Sequence, residues 1–131
     1  MLLDSNIIIY SSKREYAELR RFVARDVYSV SAVSRIEVLG YHLLATEQHQ
    51  YLIEFFQAAD ILRISDAVVT EAVKLRQTKR MGLGDAIVAG TALVHQLALV
   101  TRNIDDFKWI QSLKLINPFD LPPSTEPASD N

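Results

Sequence analysis

Short apolar runs that end in polar residues alternate with longer stretches of helical spacing. Met1-Leu2-Leu3 runs into Asp4 and reads as a strand that presents Asp4 at its C-terminal end. Ser5 and Asn6 are turn and cap residues, and Ile7 to Tyr10 is placed in a short helix despite its β-branched residues. Arg14 to Arg25 carries Ala17, Leu19, Phe22 and Val23 between charges, an amphipathic helix. Val27 to Val30 reads as a strand, followed by Ser31 as an N-cap. Ala32, Ile36, Leu39 and Leu43 recur at helical spacing, so a helix from Ser31 to Leu44 is predicted, with Glu37 at the edge of that stripe. Ala45 to Asp60 is a further helix, burying Tyr51, Leu52, Phe55 and Phe56. Ile61 to Ile64 is a strand, and Ser65-Asp66 caps a helix that ends near Lys79 and Arg80. Gly82-Leu83-Gly84-Asp85 then opens a helix of small and apolar residues that runs to about Gln96. Both glycines are read as freeing the turn, and Asp85 falls near the positive end of the helix dipole. Leu97 to Thr101 is a strand, Ile104 to Ile110 a short helix, and Leu113 to Ile116 a final strand closed by Asn117-Pro118.

Strands that alternate with helices predict an α/β fold, a parallel sheet with helices on both faces. Such sheets bind ligands beyond the C-terminal ends of their strands, at a switch in strand order. With 131 residues, 49% of them hydrophobic, one domain with its own core is expected over residues 1–119. Residues 120–131 are rich in Pro, Ser, Thr and Asp, and are expected to be a disordered tail. A net charge of −2 leaves nucleic-acid binding open, because a local basic patch is invisible in the sum. The chain has no cysteine, which removes disulfides and thiolate metal sites and fits a cytoplasmic protein. Its longest apolar stretch, Ala86 to Val94, falls short of the roughly 20 residues a membrane span needs. No secretory signal is read at the N-terminus.

Four polar positions fall at or near strand ends and helix starts: Asp4, Glu37, Asp85 and Asn103, the last followed by Asp105 and Asp106. Each has a bland reading. Asp4 can form a turn, Glu37 can be a solvated helix residue, and Asp85 and Asp106 can cap helices. Their joint placement carries more. Clustered carboxylates repel, and burial raises their pKa; a divalent cation relieves both. Oxygen donors without Cys or a positioned His favour Mg²⁺ or Mn²⁺, and the natural chemistry is phosphodiester hydrolysis. Lys13, Arg14, Arg35, Lys79, Arg80, Arg102 and Lys108 lie near these positions in sequence and are candidates for phosphate contact or simply a solvated face. His42, His49 and His95 lack ligand spacing and read as structural or surface residues.

Met-Leu-Leu-Asp4-Ser-Asn6, Ser31-Ala-Val-Ser-Arg-Ile-Glu37, Gly84-Asp85-Ala-Ile-Val-Ala-Gly-Thr-Ala92 and Thr101-Arg-Asn103-Ile-Asp-Asp106-Phe107 resemble, in order and separation, the four motifs of PIN-domain proteins. The resemblance runs from Met1 to about Pro118 and is nearest to VapC-type toxins of bacterial type II toxin–antitoxin systems. It implies a three-layer α/β/α fold around a mostly parallel sheet of four or five short strands. It also implies an Mg²⁺- or Mn²⁺-dependent endoribonuclease. By the resemblance, Asp4 and Asp85 are the principal metal ligands and Glu37 completes the acidic set. Asn103 stands where the family often has Asp; an amide accepts a hydrogen bond but brings no charge, which leaves one metal or two open. Asp106 then either supplies the missing acid or orients Asn103 and Arg102. The implied partners are RNA, a small VapB-like antitoxin lying along the active-site groove, and a second copy in a homodimer. Tyr10, Tyr41 and Trp109 are candidates for stacking on RNA bases, or for packing. Two other readings stay open: a PIN fold that binds RNA or protein without cutting, and a receiver-like phosphoacceptor domain. Against the second, no paired acids stand at the first strand end.

Overall fold

The computed structural model describes residues 1–120; the remainder of the expected tail, residues 121–131, lies outside the described residues. Five short parallel strands form one sheet: β1 (Leu2–Leu3), β2 (Ser29–Ser31), β3 (Asp60–Leu62), β4 (Leu99–Val100) and β5 (Leu115–Ile116). Their order is β3-β2-β1-β4-β5. The chain therefore builds outward from β1 on one side, then crosses to build outward on the other. That reversal puts the C-terminal ends of β1 and β4 side by side, with Leu2 opposite Leu99 and Leu3 opposite Val100. A crevice forms beyond strands where their order reverses.

Seven helices complete the layers: α1 (Ser5–Ser11), α2 (Ala17–Ala24), α3 (Ala32–Leu39), α4 (Thr46–Ala58), α5 (Asp66–Thr78), α6 (Leu83–His95) and α7 (Ile104–Phe107). Successive strand residues point to opposite faces, and each two-residue strand feeds both cores. Leu3 and Val100 pack with Ile7, Ile8, Val23, Leu52 and Phe56 beneath α1, α2 and α4. Leu2 and Leu99 pack with Leu75, Val88, Ala89 and Phe107 beneath α5, α6 and α7. This is the three-layer α/β/α arrangement, with every strand pair parallel.

Several elements differ from the sequence reading. The predicted helix from Arg14 opens as a 3-10 turn (Arg14–Tyr16) before α2 begins. The second strand is shifted to Ser29–Ser31, leaving Val27 exposed, and Ser31 still caps α3 by accepting from the Val33 amide at 3.2 Å. Likewise the third strand starts at Asp60 and ends at Leu62. The larger correction concerns α3. It stops at Leu39, with Gly40 as C-cap, and not at Leu44. Ile36 and Leu43, read as core, are 71% and 66% exposed. The buried positions of α3 are Ser34 and Val38, so the helix turns a hydroxyl-bearing face inward, and Glu37 leaves from the next position round. Finally, Asp120 closes a 3-10 turn (Pro118–Asp120) and is part of the ordered fold.

Glycine has a narrower role than expected. No glycine adopts positive φ, and Gly82 is an ordinary N-cap with open space around it. Gly90 is the close approach: a Cβ there would meet Val68 O at 3.1 Å and Ala72 N at 3.2 Å, so α6 lies tight against α5 as well as on the sheet.

Candidate active site

Asp4 is the residue that leaves β1, in extended conformation, and it is 4% exposed. Its amide donates to Val100 O at 2.9 Å, which extends the β1–β4 ladder to the site. Thr101, the residue leaving β4, is fully buried and donates from Oγ1 to Asp4 Oδ2 at 2.8 Å. The Asn103 amide in turn donates to Thr101 Oγ1 at 3.0 Å, so the loop after β4 holds the threonine that holds the acid.

Glu37 reaches the same cleft from α3. Its Oε1 lies 2.7 Å from Ser5 Oγ, and Ser5 Oγ lies 2.8 Å from the buried Ser34 Oγ. A hydroxyl has one proton and an ionised carboxylate only accepts. Ser5 therefore donates to Glu37 and accepts from Ser34. On its other side the Glu37 carboxylate lies against Gly84, where a Cβ would overlap Oε2. Gly84 is thus the glycine that the site requires, one residue before Asp85.

Asp85 sits in the first turn of α6, half-buried. Gly82 is the N-cap of that helix, and no side-chain cap bond is made. Asp85 is therefore not the helix cap that its position suggested. Among the described residues its carboxylate has no side-chain hydrogen-bond partner.

The electrostatics follow from this placement. Burial pushes the Asp4 carboxyl up to about 6; the Thr101 hydrogen bond pulls against it, while the Asp85 and Glu37 charges add to the rise. Burial likewise raises Asp85, and the charges of Asp106 and Glu37 raise it further. The charges of Glu37, Asp85 and Asp106 thus bear on the buried Asp4 or the half-buried Asp85, while Glu37 itself is exposed. A divalent cation would relieve that repulsion. The donor set is all oxygen and comes from rigid elements, which suits Mg²⁺ or Mn²⁺. Among the described residues no group of three His, Cys, Asp or Glu side chains forms a metal cage by itself.

A cleft of about 340 Å³ opens over these residues, lined by Asp4, Glu37, Asp85, Lys13, Tyr10 and Tyr41 among others. Of the seven basic residues near the motifs in sequence, Lys13 is the one that lines it. Arg14 pairs with Glu47, Lys108 pairs with Asp105, and Arg102 stacks over Phe119 with its guanidinium carbon 4.4 Å from the ring centroid. Asp105 is accordingly a surface residue. Tyr10 and Tyr41 line the cleft, whereas Trp109 donates from Nε1 to Asp106 O and packs against the second core. All three histidines are exposed, outside the acidic cleft.

The family model for the PIN domain matches residues 1–111. The chain belongs to the PIN-domain family. Among solved structures, this PIN domain is similar to a chain of a toxin–antitoxin complex from Klebsiella pneumoniae. The two are 30% identical, with a TM-score of 0.71 over 92% of this chain and 98% of the other. It is also similar to chains of VapBC2 from Rickettsia felis bound to a promoter DNA fragment (24% identity, TM-score 0.70, 88% and 96% covered) and of FitAcB from Neisseria gonorrhoeae (21%, 0.75, 92% and 99%). No curated protein matches the chain.

The PIN fold brings Asp4, Glu37 and Asp85 to one cleft and sets Asp106 near enough to Asp85 to raise its pKa. Asn103 enters through its backbone amide; no hydrogen bond involves its side chain among the described residues. Two residues of the site, Ser34 and Thr101, had no role read from the sequence, and Ser5 was read only as a turn and cap residue. Their signal was faint but present, as a hydroxyl directly follows the first acid, precedes Glu37 by three, and ends β4.

Proposed function

We propose that this PIN domain is the toxin of a type II toxin–antitoxin pair, a divalent-cation-dependent endoribonuclease. The observation that carries the reading is the convergence of Asp4, Glu37 and Asp85 on one cleft, with Asp4 buried and its pKa raised to about 6. Asp4 and Asp85 hold the cation, and Glu37 completes the set directly or through water. When bound, Mg²⁺ or Mn²⁺ supplies the positive charge that activates water and stabilises the leaving oxygen in phosphodiester hydrolysis. The chain's own residues do the positioning. Thr101 fixes Asp4, the Ser34–Ser5 pair fixes Glu37, and Lys13 draws the substrate phosphate to the cleft. RNA is the proposed substrate, a VapB-like antitoxin the proposed partner, a homodimer the proposed state and the cytoplasm the proposed location. The similarity to a chain of a toxin–antitoxin complex at 30% identity supports the partner. For the location, no helix among the described residues is long and apolar enough to cross a membrane.

Cleavage of structured RNA tests this reading. The wild-type chain cuts with Mg²⁺ and stops with EDTA, and Asp4→Asn and Asp85→Asn are inactive. Cutting that survives both substitutions would sink the assignment. A second reading, a PIN fold that binds without cutting, is favoured by one observation, the uncharged Asn103 at the fourth position. It is distinguished by calorimetry, because such a module takes up no Mg²⁺ at these acids.

A further inference from the structure

Lys13 lines more than the cleft over the acids. A second, larger cleft of about 510 Å³ begins at the same lysine and is lined by Ser12, Arg14, Arg20, Gln48 and Tyr51. Its size is that of a small-molecule site. Its floor is fixed: the Arg20 Nε donates to Ser11 O at 2.9 Å, and its guanidinium carbon lies 4.4 Å from the Tyr51 ring centroid. Gln48 Nε2 donates to Ser12 Oγ at 2.9 Å and pins the opposite wall. Two carboxylates also line it: Glu47 is neutralised by Arg14 at 3.0 Å, and Glu15 makes no ion pair among the described residues. Lys13 and Arg20 make no ion pair among the described residues. Three cations, Lys13, Arg14 and Arg20, thus face two carboxylates, and the second cleft beside the acids keeps a positive excess and a guanidinium set over an aromatic ring.

We infer that this second cleft is a nucleotide subsite. It takes an RNA nucleotide flanking the scissile bond, with its phosphate against Lys13 and its base on the Arg20–Tyr51 platform. The chemistry is that of single-stranded RNA recognition, in which unstacked bases lie on aromatic rings or arginine planes while cations track the backbone. The exposed Arg14–Glu47 pair is no barrier, because such pairs contribute little to stability and a phosphate can replace the glutamate on Arg14. The inference rests on the ribonuclease reading for its choice of ligand.

The test is binding of a fluorescein-labelled 12-nucleotide single-stranded RNA to the full chain, read by anisotropy in EDTA so that cleavage plays no part. Arg20→Ala weakens binding about tenfold, in line with stacking on one base. Arg20→Lys keeps the charge but not the plane, and recovers only part of that loss. Tyr51→Leu weakens binding and Tyr51→Phe does not. Lys13→Gln lowers the slope of log affinity against log salt by about 1. For the wild-type chain, RNA carrying 4-thiouridine crosslinks within residues 12–20 or 45–51. RNA binding indifferent to Arg20 and Tyr51, with crosslinks elsewhere, overturns the subsite and leaves the ribonuclease reading standing. Binding that depends on them without any cleavage in Mg²⁺ supports the subsite and overturns the ribonuclease reading. No RNA binding at all overturns both.

Discussion

Thr101 Oγ1 donates to Asp4 Oδ2 at 2.8 Å, joining side chains 97 positions apart in the chain. The bond exists because β1 and β4 are parallel neighbours that end together. It favours the ionised carboxylate against the pull of burial. Thr101→Val keeps the shape and loses the donor. The acid limb of the pH–rate profile then moves to higher pH, and Mg²⁺ affinity falls about tenfold, as for outer-shell partners of metal ligands. A pH series of cleavage rates with a calorimetric Mg²⁺ titration checks both.

Asp4 also carries a stability cost. Its folded-state pKa of about 6 lies above the ordinary 3.8. The folded chain therefore binds the extra proton between these values, and stability falls as pH rises from about 4 to 6. Above that window the full cost stands, roughly 3 kcal/mol. Asp4→Asn removes the charge and can still accept from Thr101. It raises the melting temperature at pH 8, has little effect at pH 4, and abolishes activity. Thermal melts at the two pH values read the difference.

An Mg²⁺ ion held by Asp4 and Asp85 binds the folded state alone, so added Mg²⁺ is expected to stabilise the wild-type chain. The effect is larger at pH 8 than at pH 5, because protons compete for Asp4 below about 6. At tenfold excess over its dissociation constant the gain is roughly 1.4 kcal/mol. Asp85→Asn melts at the same temperature with and without the ion.

Gly84 separates stability from activity. Gly84→Ala adds a good helix former in the first turns of α6, a gain of up to about 1 kcal/mol, but its Cβ takes the place of Glu37 Oε2. The flexible glutamate swings away, so cleavage drops while the fold is kept. Gly82→Ala, with nothing within 4 Å of the added Cβ, leaves cleavage unaltered. Melting curves and initial rates of the two variants, side by side, decide this.

The alternation of strand and helix was legible because each short run of β-branched or apolar residues is bounded by a cap or turn residue. The three acids were legible because α/β sheets place ligands at strand ends and helix starts. The inward face of α3 was not. Ala32, Ile36, Leu39 and Leu43 have the right period, yet Ile36 and Leu43 face solvent and Ser34 is buried. Hydrophobic periodicity assumes that the buried face is apolar, and here it carries the hydroxyl that supports Ser5 and Glu37. Thr101 was hidden for a different reason: its partner is 97 residues away, and only the strand order brings the two together. For Asp85 the sequence alone left a helix cap open beside a metal ligand, because a carboxylate in a first turn usually serves the helix.

The proposed activity requires a divalent cation shared by Asp4 and Asp85. Anomalous diffraction from a Mn²⁺-soaked crystal of the full chain tests it most directly. The predicted result is a single strong peak within bonding reach of both carboxylates, absent from crystals of Asp85→Asn. Mn²⁺ peaks found only elsewhere on the molecule, with the Asp4–Asp85 cleft empty at saturating metal, would contradict it.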